Sequence, residues 1–201
     1  MRSPLRRNRW GPISAGTDVA AVVVAALAGP RDPALEGLLG RDGAAELRKE
    51  LAARARRWAA QAAPGRAFEA TSVGAAQAAL GGHDGPALLA APDVPGLDQR
   101  VVRDALDDLA DGCDVAIGAA HDARPYLIAL SSVRSDLLDL AQESFGSGVF
   151  GAFGERGLVL GLLRSERRLV SAADVRAMAA DPRAPADLVA LLARLREGAG
   201  R

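Results

Sequence analysis

Apolar runs alternate with helix-period segments along this chain, and that alternation predicts a layered α/β fold. The strand candidates are Val19–Leu27, Ala67–Thr71, Ala87–Ala91, Val115–Gly118, Tyr126–Leu130 and Leu158–Leu163. They are short and not polar on alternate positions, as strands covered on both faces are. Helical patterns fall on Gly43–Ala62, Val73–Leu80, Asp98–Ala110, Arg134–Gln142, Ala172–Ala180 and Pro185–Arg196. Asp98 stands before the apolar set Val101, Val102, Leu106 and Leu109, where its side chain can cap a helix. Ser171 stands likewise before Ala172, and Pro185 suits a first helical turn. Gly146–Gly154, with Phe145, Phe150 and Phe153 interleaved, reads as a loop or short helix near a pocket, or as a plain packing loop. The pattern gives one three-layer α/β/α domain over residues 12–197 with a mostly parallel central sheet, and flexible termini at 1–11 and 198–201. Val19–Leu27, Ala87–Ala91 and Val115–Gly118 are the most apolar runs, so they are expected to be neighbouring interior strands.

The first of these runs imitates something else. Arg2, Arg6, Arg7 and Arg9 precede it, and it ends in Ala26-Leu27-Ala28, as a secretory signal would. Val22-Val23-Val24 is β-branched, which suits a strand. Gly16 and Asp18 mark a loop before the run, and Gly29-Pro30 breaks the chain after it. The polar gap Pro12–Asp18 separates the charges from the apolar core. The reading is a buried strand and a cytoplasmic location. No apolar run reaches the ~20 residues needed to span a bilayer.

Charge and composition narrow the chemistry. The chain has 201 residues, with 25 Lys+Arg against 25 Asp+Glu, so it lacks the basic excess of a phosphate-neutralising nucleic-acid module. Aromatics are 3%, too few for a base-stacking surface. Cys113 is the one cysteine, which excludes an intrachain disulfide and a cysteine zinc cluster. With only His83 and His121, an all-histidine zinc site is excluded too. Lys49 is the one lysine, inside the helical stretch Ala44–Arg57, and no Walker motif occurs.

Ligands of open α/β sheets bind at the carboxyl ends of the strands, and carboxylates stand at two such ends. Ala87–Ala91 runs into Pro92-Asp93-Val94-Pro95, where two prolines fix the backbone around one aspartate. Asp114–Gly118 runs into Ala119-Ala120-His121-Asp122-Ala123-Arg124-Pro125. Carboxylates on adjacent loops suit a hard cation such as Mg²⁺ or Mn²⁺. The plainer alternatives are a turn or cap residue for Asp93 and a solvated turn aspartate for Asp122. His121 is a candidate acid or base, or a surface histidine. Asp107, Asp108 and Asp111 read as a solvated face.

The stretch Pro86–Leu97, with Asp93, Pro95 and Leu97, resembles the Ser-Asp-Cys-Pro-x-Leu turn of the bacterial DUF2064 group of nucleotide-diphospho-sugar transferases, within the GT-A glycosyltransferase superfamily. Asp114–Leu130 is similar, without a gap, to that group's Asp-Val-x-x-Gly-Pro-Ala-x-Asp-Gly-Gly-Tyr-Tyr-Leu-Ile-Gly-Leu. It keeps Asp114, Asp122, Tyr126, Leu127 and Ile128 but places Ala123 and Arg124 where both glycines belong. Leu39–Leu47 resembles the segment entering the group's first long helix. The resemblance implies a Rossmann-like fold of GT-A type. It also implies a nucleotide or nucleotide-sugar ligand, Mg²⁺ or Mn²⁺ as cofactor, and no nucleic-acid or membrane partner. Asp93 becomes the expected metal ligand, Asp122 the candidate catalytic base, and Gly29, Arg31 and Tyr126 the cofactor-binding residues. Asp93, Asp122 and Tyr126 are then expected to line one cleft, with Gly29–Asp32 on its far rim.

Two departures bear on activity. Asp32-Pro33-Ala34 falls where the group carries Lys-Thr-Arg in its phosphate loop, which removes two cations and adds a carboxylate. Val170 falls where the group carries a second acidic residue, in the stretch Arg168–Val175. Arg31 or Arg41 is placed to compensate the first loss. Two functions follow: a divergent metal-dependent glycosyl- or nucleotidyl-transferase, or a catalytically silent domain of that fold that binds a ligand or a protein.

Overall fold

In the computed structural model, residues 18–143 and 148–199 are described. Of the segments expected to be flexible, 1–11 and 200–201 lie outside the described residues, as do residues 146–147 of the glycine-rich stretch. Residues 198–199 of the expected flexible end 198–201 instead belong to the last helix, whose backbone hydrogen bonds continue through them. Among the described residues six strands form one sheet: β1 (Ala20–Val24), β2 (Ala67–Ala70), β3 (Ala87–Ala90), β4 (Val115–Ala119), β5 (Pro125–Leu130) and β6 (Leu160–Leu162). Seven helices among the described residues accompany it: α1 (Pro33–Ala62), α2 (Val73–Ala79), α3 (Gln99–Ala110), α4 (Ser135–Glu143), α5 (Val149–Glu155), α6 (Ala172–Ala180) and α7 (Ala186–Ala199). The order across the sheet is β2-β1-β3-β5-β4-β6. β1 runs parallel to β2 and β3, β4 runs parallel to β6, and β5 alone is antiparallel to its neighbours.

The apolar run that imitates a signal is β1 itself, inside the sheet, with every residue from Ala20 to Val24 buried. It ends in a 3₁₀ turn, Ala25–Leu27, two residues before the Gly29-Pro30 break. β3 and β5 are buried along their whole length, so both faces of the sheet are covered. α1 and α3 pack together on one side, and α2 and α4 pack together elsewhere on the sheet.

One expectation about strand order is corrected. β1 and β3 are neighbours, but β4 does not adjoin β3, because β5 lies between them. The cause is the five residues Ala120–Arg124, too few for a parallel crossover, so β4 must turn back as a hairpin. The turn closes through the Ala120 amide donating to the Arg124 carbonyl (2.8 Å) and the Ala123 amide donating to the Ala120 carbonyl (2.9 Å). Ala123 takes φ 62°, a left-handed conformation that glycine adopts freely and alanine does not.

Helix starts follow the local chemistry. The Asp98 side chain accepts from the Arg100 and Val101 amides at 2.9 Å, and Ser171 with Asp174 forms a reciprocal cap on α6. α1 begins ten residues earlier than its helical pattern, with Asp32 capping and Pro33 in its first turn. It bends at Gly40 (φ 70°, ψ 163°), and that glycine lets the two helical pieces meet. Around the first half of α1 a second apolar cluster forms from Leu35, Leu39, Leu47, Leu51, Val175 and Leu192, among others, joining α1 to α6 and α7.

Candidate functional site

The site lies where β1 and β3 end. After β3 the chain passes through Pro92 to Asp93, whose side chain is only 11% exposed. Burying a carboxylate there is unfavourable unless both oxygens find donors. Asp93 Oδ2 accepts from the Gly29 amide at 2.6 Å, and Oδ1 accepts from Arg168 Nη1 at 2.6 Å. Burial is the largest influence on the Asp93 carboxyl and pushes it above the ordinary aspartate range, against the pull of Arg168 and the Gly29 amide.

Arg168 is itself 3% exposed and reaches several chain segments at once. Besides Asp93, Nη1 donates to the Leu27 carbonyl (3.0 Å) and Nη2 to the Pro125 carbonyl (2.6 Å). Its buried Nε has no hydrogen-bond partner among the described residues, and Asp122 Oδ2 lies 3.5 Å from it. The Leu169 amide donates to the Asp93 carbonyl at 3.0 Å, which fixes this segment against β3's exit. One guanidinium therefore ties together the ends of β1 and β3, the start of β5 and the hairpin turn.

The structure brings Asp93 and Asp122 to that one cation. The Asp122 side chain is 38% exposed, and its Oδ1 accepts from the Arg124 amide at 3.1 Å. Tyr126 lies elsewhere: it is fully buried, its ring presses on Gly118, and its hydroxyl donates to the Arg164 carbonyl at 2.9 Å. Burial pushes its phenol far above the ordinary tyrosine value. Tyr126 thus packs the β4–β5 hairpin and presents no surface to a ligand. His121 is exposed, and its backbone amide donates to the Glu166 carbonyl.

Beside Asp93 opens a cavity of about 280 Å³, lined by Gly29, Arg31, Arg48, Leu51, Asp93 and Val170, among others. Its floor is apolar, and its cations stand at Arg31 and Arg48. Arg31 is exposed and has no ion pair among the described residues, and Arg48 faces Glu36 at 3.7 Å. Gly29 has little room for a side chain: a Cβ there would meet Arg168 Cδ and Val170 Cγ1 at 3.2 Å and Asp93 Oδ2 at 3.4 Å. Arg41 lies away from this cavity, on the surface between α1 and α7.

The donor set does not fit a divalent cation at Asp93. Both oxygens of that carboxylate are taken by protein donors, and Arg168 fills the space between Asp93 and Asp122. Among the described residues no group of three or more His, Cys, Asp or Glu side chains could hold a metal ion. Sequence reasoning passed over Arg168. Its signal was an arginine directly before the apolar pair Leu169-Val170, at the first acidic position of the resembled motif. A second cluster stands at the mouth of the same edge. Arg164 donates to Glu166 Oε1 (2.6 Å), the Gly96 carbonyl (2.9 Å) and Asp98 Oδ2 (3.0 Å), fixing the loop after Pro95.

No protein-family model matches the chain, and no curated protein matches it. Among solved structures it is similar to a proposed nucleotide-diphospho-sugar transferase from Desulfovibrio desulfuricans G20. The TM-score is 0.65 at 18% identity, over 90% of this chain and 96% of that one. A Mycobacterium sp. strain JC1 homologue of a Mycobacterium tuberculosis protein aligns at TM-score 0.48 and 17% identity, over 89% and 98% of the two chains. Molybdopterin-guanine dinucleotide biosynthesis protein A from Archaeoglobus fulgidus aligns at TM-score 0.39 and 16% identity, over 90% and 98%. The first likeness shows that the two chains share a fold, and at this identity it is a likeness of fold alone. No helix among the described residues is long and apolar enough to cross a membrane.

Proposed function

We propose that the chain is a divergent GT-A-type domain, related to the DUF2064 group, that binds a nucleotide or nucleotide sugar without the metal-dependent transfer chemistry of an Asp93-bound cation. The observation that carries this reading is the cavity at the ends of β1 and β3, where Arg31 and Arg48 are the cations and Asp93 is already neutralised by Arg168. Its location is where open α/β sheets bind their ligands. The apolar floor of Leu35, Leu51, Leu169 and Val170 suits a nucleoside or sugar face, and the arginines suit phosphate oxygens. Ala52 lines the same cavity, so Ala52→Trp fills it. The test is a thermal-shift and equilibrium-binding panel of nucleoside di- and triphosphates and nucleotide sugars on wild type and on Ala52→Trp. Binding by a member of the panel that Ala52→Trp abolishes supports the reading. No binding by any member counts against a nucleotide-type ligand.

Turnover is the second reading, favoured by one observation: Asp122 keeps an accessible carboxylate beside the same guanidinium. In that case Asp122 acts as the base toward an acceptor hydroxyl. Release of the nucleotide product from a nucleotide sugar, measured with and without Asp122→Asn, separates a transferase from a silent domain.

A further inference from the structure

Four oxygen-bearing groups surround the Arg168 guanidinium. The Asp93 carboxylate and the Pro125 carbonyl each accept at 2.6 Å, and the Leu27 carbonyl accepts at 3.0 Å. The Asp122 carboxylate stands 3.5 Å from Nε. Two carboxylates and two backbone carbonyls facing the three nitrogens of one guanidinium are all oxygen donors, the donor type of a hard divalent cation. They come from three places in the chain, Leu27, Asp93 and the turn Asp122–Pro125, so the hole is built by the fold and not by one local turn. What fills it is a monovalent cation covalently attached to the chain and almost wholly buried. The guanidinium is planar, always charged, and fits the hole imperfectly, since among the described residues its Nε has no hydrogen-bond partner.

We propose that Arg168 is the resident cation of this site: its guanidinium holds the space between the Asp93 and Asp122 carboxylates that a divalent ion would need, and so makes the site metal-independent. Removal of the guanidinium alone then converts the hole into a divalent-cation site held by Asp93 and Asp122. The proposal does not depend on which ligand enters the neighbouring cavity. Its test uses Mn²⁺ without nucleotide, so it fails separately from the nucleotide reading.

The experiment is a titration with Mn²⁺ followed by electron paramagnetic resonance of the free aqueous ion, paired with thermal melts with and without Mn²⁺. It is run on wild type, Asp93→Asn, Arg168→Ala, and Arg168→Ala combined with Asp93→Asn. Wild type is expected to leave the Mn²⁺ signal undiminished and its melt unmoved. Arg168→Ala is expected to take up one Mn²⁺ per chain and to melt higher in its presence, and the double variant is expected to lose both effects. If Arg168→Ala is unfolded alone, folding on addition of Mn²⁺ supports the proposal, because binding to the folded state supplies folding free energy. Three results overturn it: Mn²⁺ binding by wild type that Asp93→Asn removes, a folded Arg168→Ala that ignores Mn²⁺, or an Arg168→Ala that stays unfolded with it.

Discussion

Arg168 and Asp93 are 75 positions apart in the chain and meet at 2.6 Å, both side chains almost wholly buried. The pair closes the carboxyl edge of the sheet where β1, β3 and β5 converge. A buried ion pair is poor evidence of stability by itself, but breaking one leaves an uncompensated charge. Arg168→Met is therefore expected to cost about 3–5 kcal/mol in urea unfolding. Combining it with Asp93→Leu recovers part of that loss, since the Leu27 and Pro125 carbonyls lack their donor in both variants. A loss within about 0.5 kcal/mol, the range of ordinary surface substitutions, would show that the pair is not ionic or not buried.

Ala123 holds a left-handed backbone (φ 62°) in the exposed β4–β5 turn, and the cost to a residue with a Cβ is of order 1 kcal/mol. Ala123→Gly is expected to raise stability by about 0.5–1 kcal/mol, the strain relief outweighing the added freedom of the unfolded chain. A drop in the denaturation midpoint would contradict this.

Gly118 and Tyr126 face each other across the same hairpin. A Cβ at Gly118 would lie 2.5 Å from the Tyr126 Cζ and 2.6 Å from its Cε1, inside a fully buried layer. Gly118→Ala is expected to destabilise by about 1–3 kcal/mol through overpacking. Adding Tyr126→Leu, which removes the ring, returns part of the loss. A Gly118→Ala protein as stable as wild type would mean that the ring is elsewhere.

Asp98 supplies a pH test. Partial burial pushes its carboxyl up, but the Val101 amide, Arg164 and the Arg100 amide outweigh this, and the carboxyl ends below its ordinary value. A lowered carboxyl stabilises the folded state above the unfolded aspartate pKa of about 3.9, and that stabilisation is lost as pH falls through the folded value. Asp98→Asn keeps a good helix cap while removing the charge. The stability gap between wild type and Asp98→Asn should be largest above about pH 4 and shrink toward lower pH. A gap that widens on acidification would reverse the sign.

Most of the architecture was legible in the sequence, because it rests on local patterns. The valine run marked β1, and Asp98 and Ser171 marked the starts of α3 and α6. The strand order was partly misread. Apolar content says a strand is interior, while the short Ala120–Arg124 connection pairs β5 with β4, and it is β5 and not β4 that lies against β3. Asp93 and Asp122 were visible at their strand ends. Arg168 was not, since a lone arginine acquires meaning only from Leu27, Asp93 and Pro125, which no sequence spacing joins. Tyr126 was placed on the right hairpin, but alternation along β5 does not tell which buried neighbour its hydroxyl will find.

The central claim is that a nucleotide-type ligand binds here with arginine in place of metal. Its most direct test is calorimetric titration of wild type with the nucleotide or nucleotide sugar that binds best, once in chelator and once in Mg²⁺, repeated on Arg31→Ala and Arg48→Ala. The account predicts the same affinity in chelator as in Mg²⁺. It also predicts at least about a tenfold loss in each arginine variant, as removal of a charge-assisted hydrogen bond implies. Binding that appears only with Mg²⁺ and vanishes in Asp93→Asn would contradict it.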